Sequence, residues 1–184
     1  MKALSITIIG LIVVALLFVA YYGGFKTITF KTSLEGGEIL VYEDLTGDYS
    51  KSGEAMDRVF NSLLSKEKIK STKGFGIYYD DPKKVEKSKL KSEVGCIVDG
   101  IDSLKIADLK KRYKVKICPR TNYLTTNFPH KNMLSIMFGI MKVYPAMSKY
   151  IEQNGLSEKG PIMEIYDTPN KTIEYRKEIV QKLQ

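Results

Sequence analysis

The chain has 184 residues, 43% of them hydrophobic, with 29 Lys and Arg against 21 Asp and Glu and a formal charge of +8. That suits one ordinary domain plus an appendage, and it excludes both an intrinsically disordered chain and a small disulfide scaffold. Two cysteines and one histidine are too few for a metal-ligand cluster, and the basic residues are scattered among glutamates rather than gathered into a nucleic-acid-reading stripe. No metal, cofactor or nucleic-acid partner is expected.

From Ala3 to Tyr22 there is no charged residue. At a rise of about 1.5 Å per residue this stretch crosses a hydrocarbon layer of roughly 30 Å. It is long for a signal-peptide core, and no clear small-x-small cleavage site follows it. Residues 1–25 therefore read as a permanent, single-pass membrane anchor, with Tyr21, Tyr22 and Phe25 as an interfacial belt. Lys2 and the amino terminus flank one side and Lys26 and Lys31, partly offset by Glu35 and Glu38, the other, and positive-inside counting leans toward a cytoplasmic soluble domain. Residues 26–36 are a juxtamembrane linker in which Thr27–Thr32 alternates like a short strand, and the soluble domain is expected from 37 to 184.

Within that domain, Glu38–Glu43 reads as a strand ending in a turn-rich segment. Ala55, Met56, Val59, Phe60, Leu63 and Leu64 recur at helical spacing and predict an amphipathic helix from Lys51 to about Lys66. Gly74–Tyr79 and Val94–Val98 follow as strands. Tyr113–Cys118 and Asn122–Thr126 are predicted strands around the turn Pro119-Arg120-Thr121. Cys96 and Cys118 fall inside such runs and read as small core residues. Met133 to Ile151 predicts a longer helix kinked at Pro145, with the Met133, Met137, Met141, Met147 stripe as its core face. Gly160–Asp167 is the next strand, and a last strand or turn lies between Thr172 and Leu183. The order strand-helix-strand-strand thus occurs twice. It implies an α+β domain of duplicated units forming a pseudo-twofold cleft, with the helices on one side, behind one N-terminal transmembrane helix.

Aligning Tyr79-Asp80 with Tyr166-Asp167 sets Glu164 against Ile77, Ile162 against Phe75 and Tyr166 against Tyr79. A carboxylate thus stands where the first unit has a hydrophobe. In a cleft away from the helices, Glu164 is the one obvious anion, with Phe75, Ile77, Tyr79 and Tyr166 as walls. Tyr49, Tyr123 and Tyr175 are more simply packing residues.

The segments Val41-Tyr42, Gly47-Asp48-Tyr49, Gly76–Pro82, Pro119-Arg120 with Tyr123, and Gly160–Tyr166 together resemble the GyrI-like small-molecule-binding domain, known also as a gyrase-inhibitory protein and as an effector domain of AraC- and MerR-type regulators. The resemblance covers the chain from about Gly37 onward and implies that the family's pocket glutamate falls on Glu164, which in multidrug-binding members reads amphipathic cations. The chain departs from the family in having no tryptophan and no helix-turn-helix module. Its arrangement of anchor plus one such domain is similar to that of a testis-expressed ER-phagy receptor. That receptor's autophagy-binding tail is not seen before Gln184, so an adaptor function is not carried over.

The expectation is a membrane-anchored protein that captures a small hydrophobic or cationic molecule through Glu164, Tyr166, Tyr79, Ile77 and Phe75. Two alternatives stand beside it. One is a hydrolase of reactive cyclopropane-type compounds using Glu164 as acid or base, although a lone carboxylate with no recognisable partner argues against catalysis. The other is a membrane adaptor binding a protein partner through the domain surface, favoured if core side chains seal the cleft.

Overall fold

The computed structural model describes residues 2–181. Helix α1 (Lys2–Tyr21) is followed by strands β1 (Lys31–Glu35) and β2 (Ile39–Thr46), helix α2 (Ser52–Ser62), and strands β3 (Lys73–Tyr78) and β4 (Lys91–Val98). After a short helix α3 (Ser103–Leu109) come β5 (Lys114–Ile117), β6 (Thr121–Pro129), helix α4 (Met133–Gln153), β7 (Leu156–Asp167) and β8 (Thr172–Gln181).

The eight strands form one antiparallel sheet in the order β1-β6-β8-β7-β3-β4-β2-β5. Read outward from its centre, the order is β3-β4-β2 in one direction and β7-β8-β6 in the other. Each half is a strand-helix-strand-strand unit, so the duplication expected from sequence is present and the β3–β7 ladder joins the copies. The flanking strands obey the same symmetry. β1 leads into the first unit but pairs with β6 of the second, and β5 leads into the second but pairs with β2 of the first.

The expected pairing around Pro119–Thr121 is therefore replaced by a crossing. The Gly37 N–H donates to the Cys118 carbonyl at 2.8 Å, and the Cys118 N–H donates to the Glu38 carbonyl at 2.9 Å. Gly36 allows this contact: at φ 109° a Cβ there would lie 2.1 Å from the Pro119 carbonyl oxygen. Arg176 of β8 adds a tie between halves, donating to Glu38 at 2.7 Å.

Alternation along the strands divides the core in three. On the helix-bearing face, α4 covers Leu124, Phe128, Ile173 and Tyr175, while α2 packs on Val41, Cys96 and Val98. On the other face Phe75, Ile77, Met163 and Ile165 pack with Leu40, Ile97 and Cys118. Both cysteines are buried and free.

One expectation is corrected on α4. Met147 is core, but Met133, Met137 and Met141 are 59%, 52% and 70% exposed, because the buried row runs instead through Ser135, Gly139, Val143, Met147 and Ile151. Pro145, the position of the expected kink, lies inside this helix, and the helix N-terminus is closed by an Asn132–Ser135 capping box. Helix α3 was not anticipated. Its seven residues bury only Leu109, too short a pattern to show a helical period.

Helix α1 is uncharged after Lys2, and the stretch Leu4–Tyr21, of mean hydropathy 2.7, has none of its residues buried. By length and composition it can cross a membrane.

The central ladder predicts one sensitive position in the neighbouring strand. A Cβ on Gly95 would fall 2.0 Å from the Val41 carbonyl oxygen. Gly95→Ala is expected to cost about 3 kcal/mol, the upper end for overpacking, read as a lowered midpoint of thermal unfolding of the detergent-solubilised chain.

A buried carboxyl in a tyrosine cage

Glu164 lies midway along the regular part of β7, directly opposite Gly76 of β3 on one side and Tyr175 of β8 on the other. Strand parity turns its side chain, with those of Ile162 and Tyr166, toward the helices. The carboxyl is 1% exposed. Its Oε1 accepts a hydrogen bond from the Tyr144 hydroxyl of α4 at 2.7 Å, and its Oε2 accepts one from the Tyr166 hydroxyl at 2.5 Å. The Tyr166 and Tyr78 hydroxyl oxygens lie 3.4 Å apart.

Two glycines make room for this arrangement. A Cβ on Gly76 would lie 2.6 Å from the Tyr78 hydroxyl, so the bare backbone lets Tyr78 fold back across its own strand toward Tyr166. A Cβ on Gly139 would lie 2.3 Å from the Tyr175 hydroxyl, so α4 can approach the sheet only because that residue is glycine. Tyr175, edge-on to Tyr144 with ring centroids 6.1 Å apart, is fully buried and its hydroxyl has no hydrogen-bond partner. His130 stands at the margin, its ring 5.6 Å from that of Tyr166.

No lysine or arginine forms an ion pair with Glu164 among the described residues. Burial pushes its carboxyl above the ordinary range, and the hydrogen bonds from Tyr166 and Tyr144 pull it back only in part. The balance is intelligible from magnitudes. Two hydrogen bonds to a charged acceptor supply about 3 to 6 kcal/mol, against several kcal/mol for removing an ionised carboxylate from water. The tyrosines respond in kind. Burial first, and the Glu164 charge second, lift Tyr144 and Tyr166 well above the ordinary phenol range and Tyr78 to about 12.

The structure brings Glu164 and Tyr166 together as expected, but separates the other sequence candidates from them. Phe75 and Ile77 pair with Ile165 and Met163 and face the opposite, helix-free side. Tyr79 lies just past the end of β3 and is 48% exposed. Glu164 itself lies beneath the helices rather than in a cleft away from them. The residues that surround it, and that sequence reasoning missed, are Tyr78, Tyr144 and Tyr175. Strand parity held the signal: residues related by the repeat must share a face, so Tyr78 and not Tyr79 matches Tyr166.

The pattern of the GyrI-like small molecule binding domain matches residues 38–183. The chain belongs to the GyrI-like family. Human testis-expressed protein 264 is 26% identical over 170 residues, which cover 85% of this chain and 52% of that protein. The chain thus spans about half the length of this curated relative. Among solved structures, the EcmrR C-terminal domain superposes with a TM-score of 0.59 at 11% identity, covering 84% of this chain and 98% of that one. SAV2435 bound to tetraphenylphosphonium superposes with a TM-score of 0.55 at 13% identity, covering 84% of this chain and 94% of that one. At such identities these two likenesses establish a common fold.

In this GyrI-like domain the Glu164 cage is closed. Two surface cavities, of about 370 and 530 Å³, open elsewhere. The first lies beside Glu38, Asp167, Glu174 and Arg176, and the second beside Tyr42, Arg58 and Tyr113.

The raised carboxyl carries a sign that can be tested. An acid whose folded pKa exceeds its unfolded pKa loses stability as pH rises from the ordinary carboxylate value through the folded one. Glu164→Gln removes this loss. The stability of the variant relative to the parent is expected to increase as pH is raised from about 4.5 through the folded pKa and then to level off, measured by denaturant unfolding across a pH series; a pH-independent difference would contradict a raised carboxyl.

Proposed function

We propose that this chain is a membrane-anchored small-molecule-binding protein whose tyrosine cage receives a hydrophobic cation, with Glu164 as counter-charge. The observation that carries this reading is a fully buried carboxyl, held by two tyrosine hydroxyls and opposed by no cation among the described residues. A bound cation would replace the missing positive charge and restore ionisation, while its apolar body would pack on Tyr78, Tyr166 and Tyr175. Aromatic faces add about 0.5 to 2 kcal/mol per cation contact. The fold relative SAV2435, bound to tetraphenylphosphonium, supports a cation of this class. Sheet pairing fixes Gly76 and Tyr175 on either side of Glu164, and Tyr144 closes it from above. A ligand therefore enters by displacement of α4 from the sheet, and the energy of that displacement is subtracted from its affinity. Helix α1 supports the anchoring part of the proposal through its length, its apolarity and the exposure of Leu4–Tyr21.

The closed cage also favours a second reading, a membrane adaptor that binds a protein partner through its surface, in which Glu164 serves only the fold. Titration of the full chain in detergent with tetraphenylphosphonium, followed by calorimetry, separates the two. Ligand capture predicts binding that strengthens with pH, and Glu164→Gln is expected to weaken it at least tenfold, about 1.4 kcal/mol. Equal affinity in both proteins would remove the carboxyl from the reading, and absence of binding in the parent would favour the adaptor.

A further inference from the structure

Helix α4 has a second face. Its inward residues build the cage, but on its outward side Met133, Leu134, Met137, Ile140 and Met141 form an apolar strip, each 39% to 70% exposed. Other exposed hydrophobes of the domain, such as Leu104 and Ile117, lie on separate elements, and isolated residues of that kind are ordinary. A strip of five on one helix is different, because patches of this kind mark contact surfaces. It is also confined to one end of α4. Toward the C-terminus the outward residues are Ser148, Lys149 and Glu152.

The apolar end is the one to which α1 is fastened. Tyr22, just beyond α1, stacks on Phe138 with ring centroids 6.2 Å apart, and its hydroxyl accepts from the Asn132 amide at 3.0 Å. Lys131 donates to the Tyr21 carbonyl at 2.8 Å and lies 3.4 Å from the centre of the Tyr21 ring. Lys142 bonds the Gly24 carbonyl and, at 2.7 Å, the Lys26 carbonyl. The turn between is tight: the Gly24 N–H donates to the Val19 carbonyl at 2.8 Å, and a Cβ on Gly24 would strike the Val19 side chain at 2.3 Å. The domain cannot hang on a slack tether. Met141 lies three residues past Phe138, about 4.5 Å along the helix axis, whereas the polar interface on each side of a bilayer is roughly 5 to 8 Å deep.

We infer that the outer strip of α4 is seated in the interface of the bilayer that α1 crosses, so that the GyrI-like domain lies on the membrane rather than above it. This rests on the anchoring proposed for α1 and goes beyond it, since an anchor alone leaves the domain in water. The charge pattern agrees with a lipid surface. Lys26, Lys131 and Lys142 surround the junction, and α4 carries no acidic residue before Glu152. Amphipathic interfacial helices bury an apolar face of this kind about 5 to 10 Å into the headgroup region, with basic side chains at its edge.

The test uses the full chain in phosphatidylcholine–phosphatidylglycerol vesicles, spin-labelled in turn at Met141→Cys, Met133→Cys, Val13→Cys and Lys110→Cys; the native cysteines are each 3% exposed. The labels at 141 and 133 are expected to meet dissolved oxygen in preference to a water-soluble nickel complex, as the label at 13 does, and the label at 110 to show the reverse. Labels at 141 and 133 that meet the nickel complex as readily as the one at 110, while the label at 13 stays in lipid, would overturn the seating and leave the anchor standing. A label at 13 that meets the nickel complex would overturn the anchor and the seating with it.

Discussion

The β3–β7 ladder is the contact on which the rest of the structure depends. It is where the two strand-helix-strand-strand units meet, and its register places Gly76 against Glu164. Because opposed residues in an antiparallel ladder share a face, that single register decides what each side of the sheet contains. Phe75, Ile77, Met163 and Ile165 fill the helix-free side, and Gly76, Tyr78, Glu164 and Tyr166 fill the helix side. A slip of one residue would exchange them and carry the carboxyl, together with Tyr166 of the same strand, to the helix-free side and away from Tyr144.

The carboxyl is then an imposed cost with a built-in partial remedy. Burial works against its charge, two tyrosine hydroxyls work for it, and no cation among the described residues completes the pair. Tyr175, buried with an unbonded hydroxyl, is a second cost at the same place. Both are understandable in a site arranged for something other than stability alone, and wasteful in a site that only fills a core. The asymmetry between units belongs to the same account. The repeat offers two equivalent strands, and only the second carries the acid.

Much of this was legible in the sequence, and the failures have physical reasons. The duplication could be read because each unit switches from alternation to helical spacing and back, and Glu164 stood out as a charge in an apolar row. The family resemblance, carried by Gly76–Pro82 and Gly160–Tyr166, pointed to the same residue. The companions of Glu164 could not all be read. Aligning the two Tyr-Asp pairs chose Tyr79 over Tyr78, an error of one position, and in a strand one position is the opposite face. Tyr144 and Tyr175 come from other elements and are joined to Glu164 only by tertiary packing. The Met stripe of α4 misled for a related reason: a helix apolar on two sides gives no sequence signal of which side is inside.

Helix α4 connects the two ends of the molecule. Its inner face closes the cage, its Gly139 lets it lie close to the sheet, and its first turns hold the end of α1. The proposed function rests on one chemical claim, that Glu164 is a buried carboxyl with raised proton affinity whose counter-charge is a bound cation. Infrared difference spectroscopy of the full chain, with Glu164→Gln to assign the band, measures that claim most directly. A protonated carboxylic-acid C=O stretch is expected near the pH at which the free site is half-ionised, and is lost when tetraphenylphosphonium is added. A band absent at every pH above the ordinary carboxylate range, or present and indifferent to the cation, would contradict it.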